Sequence, residues 1–306
     1  MADAHSGLIL VDKPAGWTSH DVVSRTRKIA GTRKVGHAGT LDPMATGMLV
    51  IGFNKATRLL TYIVDTTKTY QATIRLGHNT TTDDADGEIV RTRYANAVTA
   101  QDINRAIASL TGEIKQVPSA VSAIKIAGKR AYQRVRDGES VDIPARAVTI
   151  HRFDVQAIRR ADDGKTIDID VEIDCSAGTY IRALARDMGD YLQTGGYLTE
   201  LRRIAVGPYH VDDAVTLEDL AKHFTYTDIS TAATKLFNTR SVSTAEAQDL
   251  VHGRRIAPSE TEQLQAATLP NGQIIALITD VERGGTLAAK PKIVFATESD
   301  ITGARP

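Results

Sequence analysis

From Ile167 to Cys175 the side chains alternate without a break: Ile167, Ile169, Val171 and Ile173 interleave with Asp168, Asp170, Glu172 and Asp174. A period of two is the pattern of a β-strand. Tyr70, Ala72, Ile74 and Leu76 repeat it against Gln71, Thr73 and Arg75, a half-buried strand with Tyr70 on its apolar face. Leu8 to Val11 reads as a short buried strand closed by Lys13-Pro14, and Met48 to Phe53 as another. Helical spacing takes over elsewhere. Thr18 and Asp21 form a capping box for a helix through about Ile29, with Val22, Val23 and Ile29 turned inward. Lys55 to Ile63 reads as a helix, and Ile103, Ala106, Ile107 and Leu110 mark a further one. Ile181, Leu184, Ala185, Met188 and Leu192 mark the next. Strands and helices follow one another in irregular order. The expected fold is therefore α+β with a mixed, mostly antiparallel sheet, not a doubly wound one.

Beyond about Phe224 the composition shifts. Ser243 and Glu246 form a capping box before a helix ending near Gly253, Pro270-Asn271-Gly272 is a turn, and Ile274 to Ile278 is a strand. Arg283-Gly284-Gly285 turns again before a last strand at Ile293-Val294-Phe295. The expected division is a large unit over 1–228 and a small β-rich unit over 229–306. With 42% hydrophobic and 24% charged residues, the chain is composed as an ordinary folded protein. Its one cysteine, Cys175, rules out an internal disulfide and is expected to be buried and structural. Met1 to Ser6 contains no apolar run, and no stretch is long enough to span a membrane, so a cytoplasmic monomer with no obligatory protein partner is the expectation.

Several site types are missing: there is no C-x-x-C pair, H-E-x-x-H, Walker A loop or G-x-G-x-x-G after a strand, and the histidines are scattered. Neither a metal nor a cofactor is expected, so chemistry falls to the side chains. The segment Gly31 to Gly47 has no periodicity and is expected to be one long loop. Within it, glycines at 36, 39 and 47 permit close approach and unusual backbone angles, and Pro43 pushes Asp42 out of the helical region. A carboxylate so held, with His37 nearby, can serve as a nucleophile, or can simply cap a turn. Charge is evenly balanced, with 37 basic and 37 acidic residues, and gives no bulk support for a nucleic-acid partner. Two local clusters can supply phosphate contacts or be solvated faces. One is Arg25, Arg27, Lys28, Arg33 and Lys34; the other is Lys125, Lys129, Arg130, Arg134 and Arg136.

The loop Gly36-His37-Ala38-Gly39-Thr40-Leu41-Asp42-Pro43-Met44-Ala45-Thr46-Gly47 resembles the G-H-x-G-x-L-D-P-x-A-T-G motif of the bacterial TruB family of tRNA pseudouridine synthases. Further matching segments are Leu10 to Gly16, Lys68-Thr69-Tyr70, Asp83 to Gly87, Gln116 to Lys125, Cys175 to Arg182 and Leu201-Arg202-Arg203. The resemblance implies isomerisation of uridine 55 in the T loop of tRNA, without cofactor or metal. It implies that Asp42 is the catalytic aspartate, which bonds covalently to the nucleotide, and that Arg182 pairs with it and favours its ionised form. It implies that Tyr70 stacks on the target base and takes part in its proton transfer, and that Tyr180 and Leu201 line the pocket. It implies that His37 contacts the flipped nucleotide. A small RNA-contacting domain of PUA type is implied at the C-terminus, where Arg254 and Arg255 are candidates for phosphate contact. The role of Lys13 stays open.

Two other classes compete. A non-catalytic RNA-binding or RNA-folding protein would share the fold, but the intact set Asp42, Tyr70 and Arg182 argues against it. An aspartyl hydrolase would need further carboxylates for a metal; Asp83, Asp84 and Asp86 are close in sequence but lack a full calcium-loop pattern.

Overall fold

The computed structural model describes residues 5–119, 125–126, 129–130 and 143–302. The side chains of the basic stretch from Lys125 to Arg136 lie outside the described residues.

The large sheet runs, in order, β14 (Thr227–Asp228), β1 (Gly7–Lys13), β3 (Thr46–Phe53), β12 (Gly196–Val206), β4 (Lys68–Leu76), β11 (Ile167–Cys175), β10 (Arg146–Arg160) and β7 (Gly112–Gln116). Two short strands attach off this path: β2 (Val35–His37) to β3 and β13 (Tyr209–His210) to β12. Pairing is antiparallel except between β12 and β3, which meet in parallel at Arg202–Thr46 and Arg203–Gly47. Two hairpins stand apart, β5 (His78–Thr80) with β6 (Ile89–Thr92) and β8 (Lys125–Ile126) with β9 (Lys129–Arg130). A second sheet orders β15 (Asn238–Ser241), β16 (Gln265–Thr268), β17 (Ile274–Arg283) and β18 (Thr286–Val294). The α+β architecture with a mostly antiparallel sheet is the one expected.

One face of the large sheet is covered by three helices: α1 (Ser19–Ala30) through Val22 and Val23, α3 (Ala100–Ser109) through Ile103 and Ala106, and α4 (Ile181–Tyr191) through Leu184, Ala185 and Met188. The capping box of Thr18 and Asp21 is present at the start of α1, and that of Ser243 and Glu246 at the start of α7 (Thr244–Val251). On β1 and β3 the opposite face is buried too. Leu8, Leu10, Met48 and Val50 pack with Leu59 and Ile63 near α2 (Leu60–Val64) and Ala232 of α6 (Ile229–Leu236). Leu277 and Phe295 from the second sheet region join them. A strand buried on both faces needs a continuous apolar run, which is why Leu8 to Val11 does not alternate. Two short helices, α5 (Leu217–Lys222) and α8 (Glu298–Thr302), complete the fold.

Three expectations need adjustment, and one long strand carried none. The segment 31–47 is not all loop, because β2 pairs with β3 from Val35–Phe53 to His37–Ile51; three residues are too few to show a period. The helix expected over Lys55–Ile63 begins as a 3-10 turn over Asn54–Leu59 and is α-helical only from Leu60. Its buried positions Ala56, Leu59, Leu60 and Ile63 share one face in either form, so periodicity alone cannot separate the two. The 15-residue β10 was not anticipated, because a bulge between Ile150 and Arg152 puts the alternation of Val148 and Ile150 out of step with that of Phe153 and Val155, and its outer half is largely exposed. The strand read at Ile274–Ile278 continues to Arg283 and forms with β18 a hairpin closed by Gly284 and Gly285, both at positive φ.

Helix α4 approaches β12 closely at Gly189, where a Cβ would lie 2.1 Å from the backbone of Gly195 and Gly196. We expect Gly189→Ala to lower the unfolding free energy by about 1–3 kcal/mol, the usual range for overpacking, as read from the midpoint of urea denaturation.

Candidate active site

The site is built where β3 and β12 meet. Arg203 of β12 is 1% exposed, and its guanidinium is spent on backbone carbonyls: Nε donates to Met48 O (2.8 Å), Nη1 to Thr40 O (3.3 Å) and Nη2 to Gly39 O (3.2 Å). Ser19, at the start of α1, donates to Leu41 O at 3.1 Å and accepts the Leu41 N–H at 2.9 Å. Ala45 N–H donates to Asp42 O (3.1 Å), and Gly16 N–H to Pro43 O (2.8 Å). Lys13 Nζ adds a bond to Pro43 O (3.2 Å) and also holds the carbonyls of Pro14 and Trp17. Every carbonyl from Gly39 to Pro43 therefore has a donor, which buried backbone oxygens require. Gly39 and Gly47 sit at positive φ, and a Cβ on Gly47 would fall 2.3 Å from Arg203 O, so the seam of β3 and β12 depends on that glycine. Gly36, by contrast, is an ordinary strand residue of β2.

This fixed loop presents Asp42 with its side chain one-third exposed, and Asp42 Oδ2 lies 3.0 Å from Arg182 Nε. Arg182 is buried at the second position of α4. Its Nη1 lies 3.2 Å from Asp84 Oδ2 and donates to Thr82 O at 3.0 Å. Asp84 is itself buried and accepts from the Thr82 hydroxyl and from Asp86 N–H (3.1 Å). A guanidinium out of water is costly unless paired, and here carboxylates on two sides compensate it. The pair of Asp42 and Arg182 thus joins a buried guanidinium to a carboxylate at the edge of solvent.

Asp42, Arg182, Tyr70, Tyr180 and Leu201 line one cleft of about 360 Å³. His37 is not among its lining residues. It stands on β2, before the loop, in edge contact with His20, the ring centroids 6.2 Å apart. Tyr70 lies directly across from Arg203 in the pairing of β4 and β12, and Leu201 across from Ala72. Burial pushes the Tyr70 hydroxyl above its usual range, partly opposed by Arg203, and burial likewise raises Tyr180. Both phenols are therefore neutral near pH 7. Lys68 also lines the cleft, with Nζ donating to Val64 O and Thr66 O; burial lowers it to about 8. Burial lowers Lys13 to about 8 as well, with the charge of Asp42 pulling the other way. The Cys175 thiol is buried and pushed up to about 11, so it is no nucleophile, as expected.

The sequence singled out five residues that line the cleft and left two others that line it, Arg203 and Lys68, without a role. Arg203 and Lys68 lay inside matched segments, but nothing in their spacing marks a side chain aimed at backbone. Lys13 now has a function, holding Pro43. Asp84 was weighed as a metal ligand and instead holds Arg182; among the described residues no group of three or more His, Cys, Asp or Glu is placed to bind a metal ion.

We expect Arg203→Met to lower the unfolding free energy by about 3 kcal/mol or more, since each buried carbonyl left unpaired costs roughly 1–3 kcal/mol; denaturant titration measures it. The single thiol should resist a disulfide reagent in the folded protein at about pH 8 and react at once in denaturant.

Comparison with known proteins bears on this geometry. Residues 27–181 match the model of the TruB family pseudouridylate synthase N-terminal domain. Residues 182–242 match the tRNA pseudouridylate synthase B C-terminal domain, and residues 237–296 the C-terminal model of tRNA pseudouridine synthase II. A tRNA pseudouridine synthase B from Arthrobacter sp. (strain FB24) is 57% identical over 307 residues, covering 97% of this chain and 99% of the relative. One from Thermobifida fusca (strain YX) is 52% identical over 298 residues, covering 97% and 99%. Among solved structures, a chain of a Cbf5-Nop10-Gar1 complex shares the fold with a TM-score of 0.73 at 24% identity, over 96% of this chain and 86% of that one.

Proposed function

The chain belongs to the TruB family of pseudouridylate synthases, which are isomerases, and from that premise we propose that it converts uridine 55 in the T loop of tRNA to pseudouridine, with Asp42 as the nucleophile. The observation that carries this reading is Asp42 itself: a carboxylate on an immobilised loop, paired with Arg182 at 3.0 Å, in a cleft walled by Tyr70, Tyr180 and Leu201.

The reaction moves one bond. The N1–C1′ bond breaks, the uracil turns, C5 bonds to C1′, C5 loses a proton and N1 gains one. Atoms and electrons balance without a co-reactant, so the work is to hold a carboxylate, a ribose and a loose base in register. Asp42 bonds covalently to the nucleotide and is released as the new bond forms. Arg182 fixes its orientation through Oδ2. Tyr70, neutral because it is buried, offers a ring face for stacking and a hydroxyl for proton exchange near C5.

A uridine inside a folded loop is out of reach, so the base must be extruded at a cost of a few kcal/mol. His37, outside the cleft lining, contacts the flipped nucleotide in this reading, and a planar imidazole does so by stacking. The exposed basic residues Arg25, Arg27, Lys28, Arg33 and Lys34 flank the same region and supply phosphate contacts that the overall charge does not. The large unit over 1–228 carries the chemistry. The β-rich unit over 229–306 is a PUA-like RNA-binding domain, with Arg254 and Arg255 at its surface. The protein acts as a cytoplasmic monomer on the T arm.

An unmodified tRNA transcript should gain pseudouridine at position 55, and a transcript with cytidine there should gain none. Product at other positions only, or none at all despite binding, contradicts the proposal. Asp42→Asn should abolish turnover while leaving tRNA affinity nearly unchanged, because shape is kept and the nucleophile is lost; appreciable turnover by that variant would remove Asp42 from its role. Affinity should also fall as salt rises, since phosphate contacts release counterions; a salt-independent affinity would count against RNA as the partner.

A further inference from the structure

Gln116, the last residue of β7, is 1% exposed and lies outside the cleft lining. Its carboxamide makes two bonds to the backbone of a single residue: Nε2 donates to Tyr180 O at 3.0 Å, and Oε1 accepts the Tyr180 N–H at 2.8 Å. A side chain here does what a neighbouring strand would do for Tyr180, whose backbone is extended (φ −106, ψ 107) at the point where the chain enters α4. Tyr180 caps that helix without a side-chain hydrogen bond of its own.

We infer that Gln116 is a positioning residue for the isomerisation, acting through the backbone of Tyr180 on two groups of the cleft. The Tyr180 ring is one, and Arg182 two residues further is the other. A second tie lies one residue on from Gln116, where Arg186 Nη2 donates to Val117 O at 2.7 Å while Nη1 lies 3.3 Å from Asp83 Oδ2. The end of β7 is thus fastened to α4 at its entry and again more than a turn along. With both ties in place, the helix carrying Arg182 cannot slide along its axis, and the distance to Asp42 is set. The inference rests on the reading of the cleft as the pseudouridine-forming site.

The chemistry of the clamp supplies its own test. An amide offers one donor and one acceptor in a plane. An ionised carboxylate offers acceptors only and would repel Tyr180 O, whereas a protonated carboxyl restores one donor and one acceptor. In single-turnover conversion of a tRNA transcript, Gln116→Ala should slow the reaction by about tenfold or more with tRNA affinity within about twofold, because geometry and not binding is lost. Gln116→Glu should be slow at about pH 8 and approach wild type toward about pH 6, the ratio of the two proteins cancelling titrations they share; burial favours the protonated carboxyl. Thermal midpoints recorded alongside identify a folding defect, and if Gln116→Ala fails to fold, Gln116→Glu alone decides. A wild-type rate for Gln116→Ala, or a ratio for Gln116→Glu that does not change with pH, overturns the inference. Absence of pseudouridine with the wild-type protein in the same assay would instead overturn the reading on which it rests.

Discussion

The buried guanidinium of Arg203 is the interaction on which the site depends. It reaches three carbonyls on two sides of the turn that carries Asp42, those of Gly39, Thr40 and Met48. A planar fork of five donors suits that task, and a lysine ammonium does not, because the acceptors are spread around a plane and not around a point. Burying such a charge is expensive, and oriented carbonyl dipoles are the compensation. The same bonds leave the loop without orphan oxygens and with little freedom. Ser19 and Lys13 complete the frame from α1 and β1, so Asp42 is held by three separate elements of the large sheet and its covering helices.

Arg182 extends this logic across the cleft. Asp84, buried behind it, fixes one end of the guanidinium, and the other end meets Asp42 at the edge of solvent. An arginine tied at its rear gives up little entropy in holding its front partner, which is the structural meaning of preorganisation. The cleft walls come from β4 and β12, adjacent antiparallel strands whose register puts Tyr70 across from Arg203 and Leu201 across from Ala72. The wall and the frame of the loop are therefore one structure: a slip of one residue between these strands would carry Tyr70 to the opposite face and pull Arg203 from the carbonyls.

What was legible in the sequence follows from range. The alternation at Ile167–Cys175 and Tyr70–Leu76 and the capping boxes at Thr18 and Ser243 are local signals, and the elements they mark formed as read. The short β2 and the long β10 left weak local signals, because one has three residues and the other is exposed over half its length. The cleft residues were found through the match of motifs, which marks the residues that face a cleft as readily as those behind it, but the one partner it implied was Arg182 for Asp42. Arg203, Gln116 and Asp84 take their partners from residues about 160, 64 and 98 positions away, across the sheet. No spacing rule reaches so far, and a polar side chain directed at distant backbone, unlike a capping box, leaves no local signature.

The frame of Arg203, Ser19 and Lys13 makes the loop bearing Asp42 rigid before RNA arrives. Amide hydrogen exchange on the free protein, resolved at Ala38, Leu41 and Ala45, tests it directly. These amides are bonded to Val50 O, the Ser19 hydroxyl and Asp42 O. Protection at all three is expected to be comparable to that of β3, since opening them requires breaking the bonds of Arg203 and Ser19 together. Exchange at the rate of an open surface loop, with protection appearing only when tRNA is added, would mean that RNA builds the loop and that the buried frame does not.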